Sequence, residues 1–147
     1  MSETLLPAQK GDVLEIDELW SFVGSKANAR WVWIALCRQT RQIVACFIGD
    51  RSARSALALR ERIPSDYRCR ATRSDFLLAY EEVFPRRTHR LCNKDEGETC
   101  HVERWNNTLR QRLGRFVRKT LSFSKSDHMH ELALRLFIHH YNQKRVI

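Results

Sequence analysis

No run of about 18 apolar residues occurs in the chain, so nothing in it is long enough to cross a bilayer as an apolar helix. A basic-then-apolar leader is also missing at the N-terminus, which removes the secretory reading and leaves the expectation of a cytoplasmic protein with no membrane partner. There is no C-x-x-C pair, which excludes a zinc ribbon. The five cysteines (Cys37, Cys46, Cys69, Cys92, Cys100) are odd in number, scattered, and make no disulfide framework. His89, Cys92, Cys100 and His101 have the chemistry for zinc, but their spacing matches no common site. Internal repeats, low-complexity tracts and internal linkers are absent. Acid is scarce: 17 Asp and Glu stand against 26 Lys and Arg, for a net charge of +9. A polyanion is therefore the expected partner. Nucleic acid is favoured over an acidic membrane surface, because no long basic amphipathic helix lacks a role in a core.

What is present suffices for one domain with a single core: 147 residues, 43% of them hydrophobic. Residues 1–10, polar and containing Pro7, read as a flexible leader before a domain over 11–147. Asp12 to Val23 reads as a strand ended by Gly24, Arg30 to Cys37 as a second and Gln42 to Ile48 as a third. The short turn between the last two makes them antiparallel. Glu15, Asp17 and Glu18 interrupt the first strand; such carboxylates reach a sheet edge, pair with arginine or bind a metal. A helix over Ser52 to Ile63 stops at Pro64, and Tyr67 to Thr72 reads as a short strand. Asp75 then stands where strand gives way to helix, a position that an N-cap alone would explain. Thr88 to Cys92 is a last short strand.

The stretch 98–119 predicts one long helix. Val102, Trp105, Leu109, Leu113 and Phe116 form an apolar stripe, with Trp105 read as core. Arg104, Arg112, Arg115 and Lys119 form a basic stripe, suited to phosphates or simply to solvent. Glu103 lies on neither; it shares a third face with Asn107 and Arg110 in the first turn after Thr99, a candidate cap. A hydroxyl-rich basic connector follows, then a final helix from about Asp127 to Tyr141 whose wide apolar coverage predicts burial. Its histidines, His128, His130, His139 and His140, read as surface or packing groups. Three antiparallel strands followed by alternating helices and short strands make a mixed sheet flanked by helices, an α/β fold. Asp17, Asp75 and Glu103 each have a bland explanation singly. Together, in a basic protein, they suggest carboxylates that hold divalent metal against phosphate.

Four segments carry a resemblance: Glu15 to Gly24, Ser74-Asp75-Phe76, His101 to Arg112, and Arg118 to Ser126. They resemble the catalytic part of the insertion-sequence-one family of transposases, and the likeness runs from Gly11 to Asn142. The chain departs from the family pattern at Leu77, where an aromatic is common, and at Arg73. The resemblance implies a ribonuclease-H-like catalytic domain with an Asp-Asp-Glu triad, here Asp17, Asp75 and Glu103, using Mg2+ (or Mn2+), two ions in all. It implies DNA strand cleavage and strand transfer at insertion-element ends; a catalytically silent DNA-binding fragment and a nuclease of the same fold are the alternatives. Arg104, Arg110, Arg112, Arg115, Arg118, Lys119 and Lys125 would bind phosphates of double-stranded DNA at element ends and target. From position alone, His101 and Asn107 are candidates for supporting the triad or contacting DNA. The family also implies self-association, a nucleoid location, and an upstream-frame DNA-recognition module that residues 1–10 do not supply.

Overall fold

A computed structural model describes residues 2–146. Three long strands, β1 (Val13–Val23), β2 (Ser25–Cys37) and β3 (Ile43–Gly49), form an antiparallel meander. Helix α1 (Ala53–Arg62) and the single turn α2 (Ser65–Arg68) lead to β4 (Ala71–Ser74); α3 (Leu78–Val83) leads to β5 (His89–Leu91). Both short strands run parallel to β1, so the sheet order is β3-β2-β1-β4-β5. Helices α4 (Cys100–Arg112) and α5 (Asp127–Gln143) complete the chain. This mixed sheet with helices on both faces is the ribonuclease-H-like arrangement.

Alternation along the strands divides the core between two faces. Leu14, Ile16, Trp33 and Ala35 pack against Ala56 and Leu59 of α1 and Ala79 and Tyr80 of α3. On the opposite face Leu19, Val32, Ile34 and Leu36 meet Val102, Trp105 and Leu109 of α4 and Leu134 and Ile138 of α5. The outer edge at β3 is partly covered: the Asn142 amide of α5 donates to Ile43 O (2.9 Å) and accepts from Ile43 N (2.8 Å). Residues of the N-terminal segment touch the domain as well, since Tyr67 Oη donates to Leu6 O and Gln42 Nε2 to Thr4 O.

Several elements differ from their sequence-based expectation. β2 begins at Ser25 rather than Arg30, because Gly24 at φ 74° turns the chain at once into the hairpin partner of β1. Tyr67 is a buried residue of α2, and the fourth strand starts only at Ala71. The long helix expected over 98–119 ends at Arg112: Leu113 is extended, and a 3-10 turn (Gly114–Phe116) swings Phe116 into the core. The basic stripe is therefore broken after Arg112. α5 buries a narrow stripe, His130, Leu134, Ile138 and Asn142, while Leu132 and Leu136 face outward, so its apolar coverage exceeds its burial.

Candidate active site

Asp17 lies midway along β1, opposite Ile34 of β2, and Asp75 directly follows β4. The parallel register pairs Glu15 with Arg73, so two residues further on Asp17 and Asp75 come level on adjacent strands. Carboxylate oxygens of Asp17, Glu18 and Asp75 lie within 4.8 Å of one another. Glu103, one turn into α4, faces the same cleft of about 440 Å³, which Asn106, Asn107, Lys94, Arg110 and Arg118 also line. Glu103 is outside that tight trio, and its hydroxyl partner is Thr99, whose Oγ1 donates to Oε1 at 2.8 Å. The cleft thus gathers all three acids singled out in the sequence. The sheet brings two of them together, and α4 carries the third to the wall.

The site is electrostatically costly without a cation. Asp17 is pushed up to about 7, first by burial, then by Glu18 and Asp75, and to a lesser degree by Glu103. Asn106 Nδ2 donates to Asp17 Oδ2 (2.7 Å) and fixes the carboxyl, while the Asn106 carbonyl oxygen is buried with no partner among the described residues. Glu18 is raised as well, by burial and Asp75, against the lowering pull of Tyr80 and Arg51. Its two oxygens are already engaged: Arg51 donates to Oε1 (2.9 Å) and the Tyr80 hydroxyl to Oε2. Glu18 therefore adds negative charge to the site with both oxygens hydrogen-bonded, whereas Asp17 and Asp75 offer less encumbered hard oxygen donors that suit a divalent cation. Asp75 also accepts from Leu77 N (3.0 Å), an Asx turn, since α3 begins only at Leu78. Behind it His89 bridges Thr72 (2.6 Å) and Ser74 (2.9 Å). Because Ser74 Oγ donates to Asp75 O, His89 is the Nε2–H tautomer, and burial lowers it to about 4.

Of the groups that interrupt β1, Glu15 pairs with arginine. Fully buried, it accepts from Arg38 Nε (2.9 Å) and from the backbone N–H groups of His101 and Val102 (both 2.9 Å). It thereby caps α4, the task expected of Thr99, whose side chain makes no cap bond. His101 turns to Glu15 as well, with Nδ1 at 2.7 Å from Oε1, and lines a different hollow from the acidic cleft. His89 and Cys92 do not join Cys100 and His101 in any metal-type cluster among the described residues.

The basic residues separate into groups. Arg110 and Arg118 line the acidic cleft with Asn107; Arg118 also sits over Trp20 (5.9 Å) and, with Lys119, lines a shallow neighbouring hollow beside Trp20 and Trp31. Arg104 and Arg112 face away, into the hollow that holds His101. Arg115 reaches Ser124 Oγ (3.4 Å), and Lys125 is exposed on the connector. From sequence alone Glu18 stood among three outcomes, of which pairing with arginine is the one found, and Tyr80, Arg51 and Asn106 had no assigned role. Asn106 carried a signal: it lies four residues after Val102, on the buried side of the helix, where an amide needs a partner.

A family model described as IS1 transposase matches residues 13–144. The chain is 37% identical over 129 residues to the insertion element iso-IS1n protein InsB of Shigella dysenteriae, covering 86% of this chain and 93% of that one. It is 36% identical over 132 residues to the IS1 protein InsB of Shigella flexneri, covering 86% and 95%. An IS1 4 protein InsB of Escherichia coli (strain K12) is 33% identical over 129 residues, covering 86% and 75%.

Proposed function

The chain belongs to the IS1 transposase family and serves the transposition of an insertion element, and on that footing we propose that Asp17, Asp75 and Glu103 form a metal-dependent site that cuts and joins DNA strands at the element's ends. The observation that carries this reading is the convergence of acids from β1, the end of β4 and α4 on one cleft, with the oxygens of Asp17 and Asp75 within 4.8 Å. Asp17 and Asp75 would hold Mg2+ or Mn2+, two ions, with Glu103 completing the set from the helix. The chemistry that such ions would supply there is activation of a water or a 3′ hydroxyl and stabilisation of the leaving oxygen in an in-line displacement.

The chain's own residues supply the rest. Asp17, pushed up to about 7, gives up its proton to become a ligand, and Asn106 keeps its carboxyl aimed into the cleft. Arg51 and Tyr80 fix the Glu18 carboxylate beside the cation site by donating to both its oxygens. Arg110, Arg118 and Asn107 line the rim, where they would seat the phosphate next to the scissile bond. The reading includes action as a homo-oligomer on paired ends, with end sequence read by an upstream-frame module.

Nicking of DNA that carries the element ends, in Mg2+ and in Mn2+, tests the assignment. Asp75→Asn and Glu103→Gln should each lose at least 100-fold in rate, the order of loss expected when a group acting on the transition state is removed, while DNA binding persists. Cleavage that survives either substitution removes that residue from the mechanism. Binding without cleavage by the parent protein in both metals favours the silent DNA-binding reading.

A further inference from the structure

Helix α4 is a partition. Glu103, Asn106, Asn107 and Arg110 face the acidic cleft; His101, Arg104, Trp105, Thr108 and Arg112 face a separate hollow of about 530 Å³. Its other walls are Arg41, from the β2–β3 turn, and Tyr141, Lys144 and Arg145 at the end of α5. Five arginine and lysine side chains therefore surround it, and no carboxylate side chain is among the described residues that line it. None of the five forms a salt bridge among the described residues; of the hollow's lining only His101 does, to Glu15. Like charges so gathered repel one another unless an anion sits between them.

Two further observations point to a ligand. Trp105, only 2% exposed, lines the hollow, and its indole N–H has no partner among the described residues; nor does Arg41 Nη1, which is also buried. Arg41 is also the one described non-glycine residue with positive φ (63°), a turn position where glycine would be less strained. An arginine kept there at a conformational cost implies that its side chain has work to do.

We infer that this hollow is a second phosphate site, which takes backbone phosphates of a DNA segment running behind α4, apart from the strand at the carboxylates. The inference rests on DNA being the substrate. Phosphodiester oxygens would accept from the guanidinium forks of Arg104, Arg112 and Arg41, for which their planar donor geometry is suited. α4 would then lie between two stretches of nucleic acid, one at each face.

The test uses the full chain with Glu103→Gln, in EDTA, so that no strand is cut, and follows binding of a short duplex by anisotropy across a salt series. Arg104→Ala with Arg112→Ala should lower the slope of log K against log salt by about two units, and Arg41→Gly by about one. Arg41→Gly should do so with no drop in thermal midpoint, since glycine accepts that backbone; a folding defect cannot then explain the loss. Slopes unchanged in both variants overturn the inference. Pyrophosphate, followed through the Trp105 indole resonance, separates the sources of phosphate. Displacement of pyrophosphate by duplex supports the DNA assignment, and saturation that duplex cannot reverse overturns it. Slopes that fall as expected in a chain that never nicks DNA leave this site standing and remove the catalytic reading; the reverse pattern does the opposite.

Discussion

Asp17 carries the clearest conflict between folding and function at the level of one side chain. Held at about 7 by burial and by neighbouring Glu18 and Asp75, it is stable in the fold as the acid and costly as the anion. Asp17→Asn removes that cost and keeps an oxygen for the Asn106 amide to donate to. The rise from 3.8 to about 7 sets a ceiling near 4 kcal/mol at 1.36 kcal/mol per unit, and partial exposure discounts it to about 2 kcal/mol. The metal-free variant should therefore be more stable than the parent at pH 8 in urea unfolding, by about 2 kcal/mol. Mg2+ should raise the thermal midpoint of the parent more at pH 8 than at pH 6, because a proton competes for the same oxygens at the lower value, and should leave Asp17→Asn almost unmoved. A variant less stable than the parent at pH 8 would contradict the burial cost.

The position of Glu103 is set at the level of the element, by how α4 begins. The helix start is held from outside by Glu15, which takes two backbone N–H groups and the Arg38 guanidinium into a site with no solvent exposure. Glu15→Ala should destabilise the fold by about 2 kcal/mol, since it leaves two helix donors without their acceptor, while Arg38 keeps its bonds to Glu98. Glu15→Gln keeps one acceptor oxygen and should lose less. Equal stability of Glu15→Ala and parent in chemical unfolding would show that the cap is dispensable. This anchor was only half legible in the sequence. The apolar periods of β1 and α4 identify both elements, and a carboxylate within an apolar strand announces a partner, but which distant N–H groups supply it depends on the crossing of two elements 86 residues apart. The end of α4 was less legible still. Gly114, directly after the cap residue Leu113, is a local stop signal that the helical stripe through Leu113 and Phe116 masked; the 3-10 turn that follows still brings Phe116 into the core.

The sheet itself was readable in the whole molecule because three apolar strands with short turns allow only a meander, and the parallel strands follow from the helices between them. The meeting of Asp17 with Asp75 follows from strand order, whereas the sharing of the cleft with Glu18 depends on side-chain reach, which period-two alternation conceals. Such buried polar groups also give the molecule a pH response that no single motif predicts. His130 is fully buried: its Nε2–H donates to Ser21 Oγ (2.8 Å), and its Nδ1 accepts from Ser124 Oγ (2.7 Å), which ties β1 and the connector to α5. Burial lowers His130 and His89 from 6.5 to about 4. Their contribution is complete above pH 6.5 and is lost as pH falls toward 4, because the unfolded chain takes up protons that the fold refuses. Asp17 acts in the opposite sense: its folded value lies above its unfolded one, so acidification from about 7 to 3.8 favours the fold, and the raised Glu18 adds to that effect. The losses and gains partly cancel in the parent. Asp17→Asn should steepen the decline in stability between pH 6.5 and 4.5, by no more in all than the roughly 2 kcal/mol that its burial costs, and His130→Gln, fully buried, should flatten it by up to about 1.4 kcal/mol per pH unit, one proton's worth. Urea midpoints measured at several pH values in metal-free buffer decide the matter: parallel curves for parent, Asp17→Asn and His130→Gln would mean that neither group changes its protonation on folding.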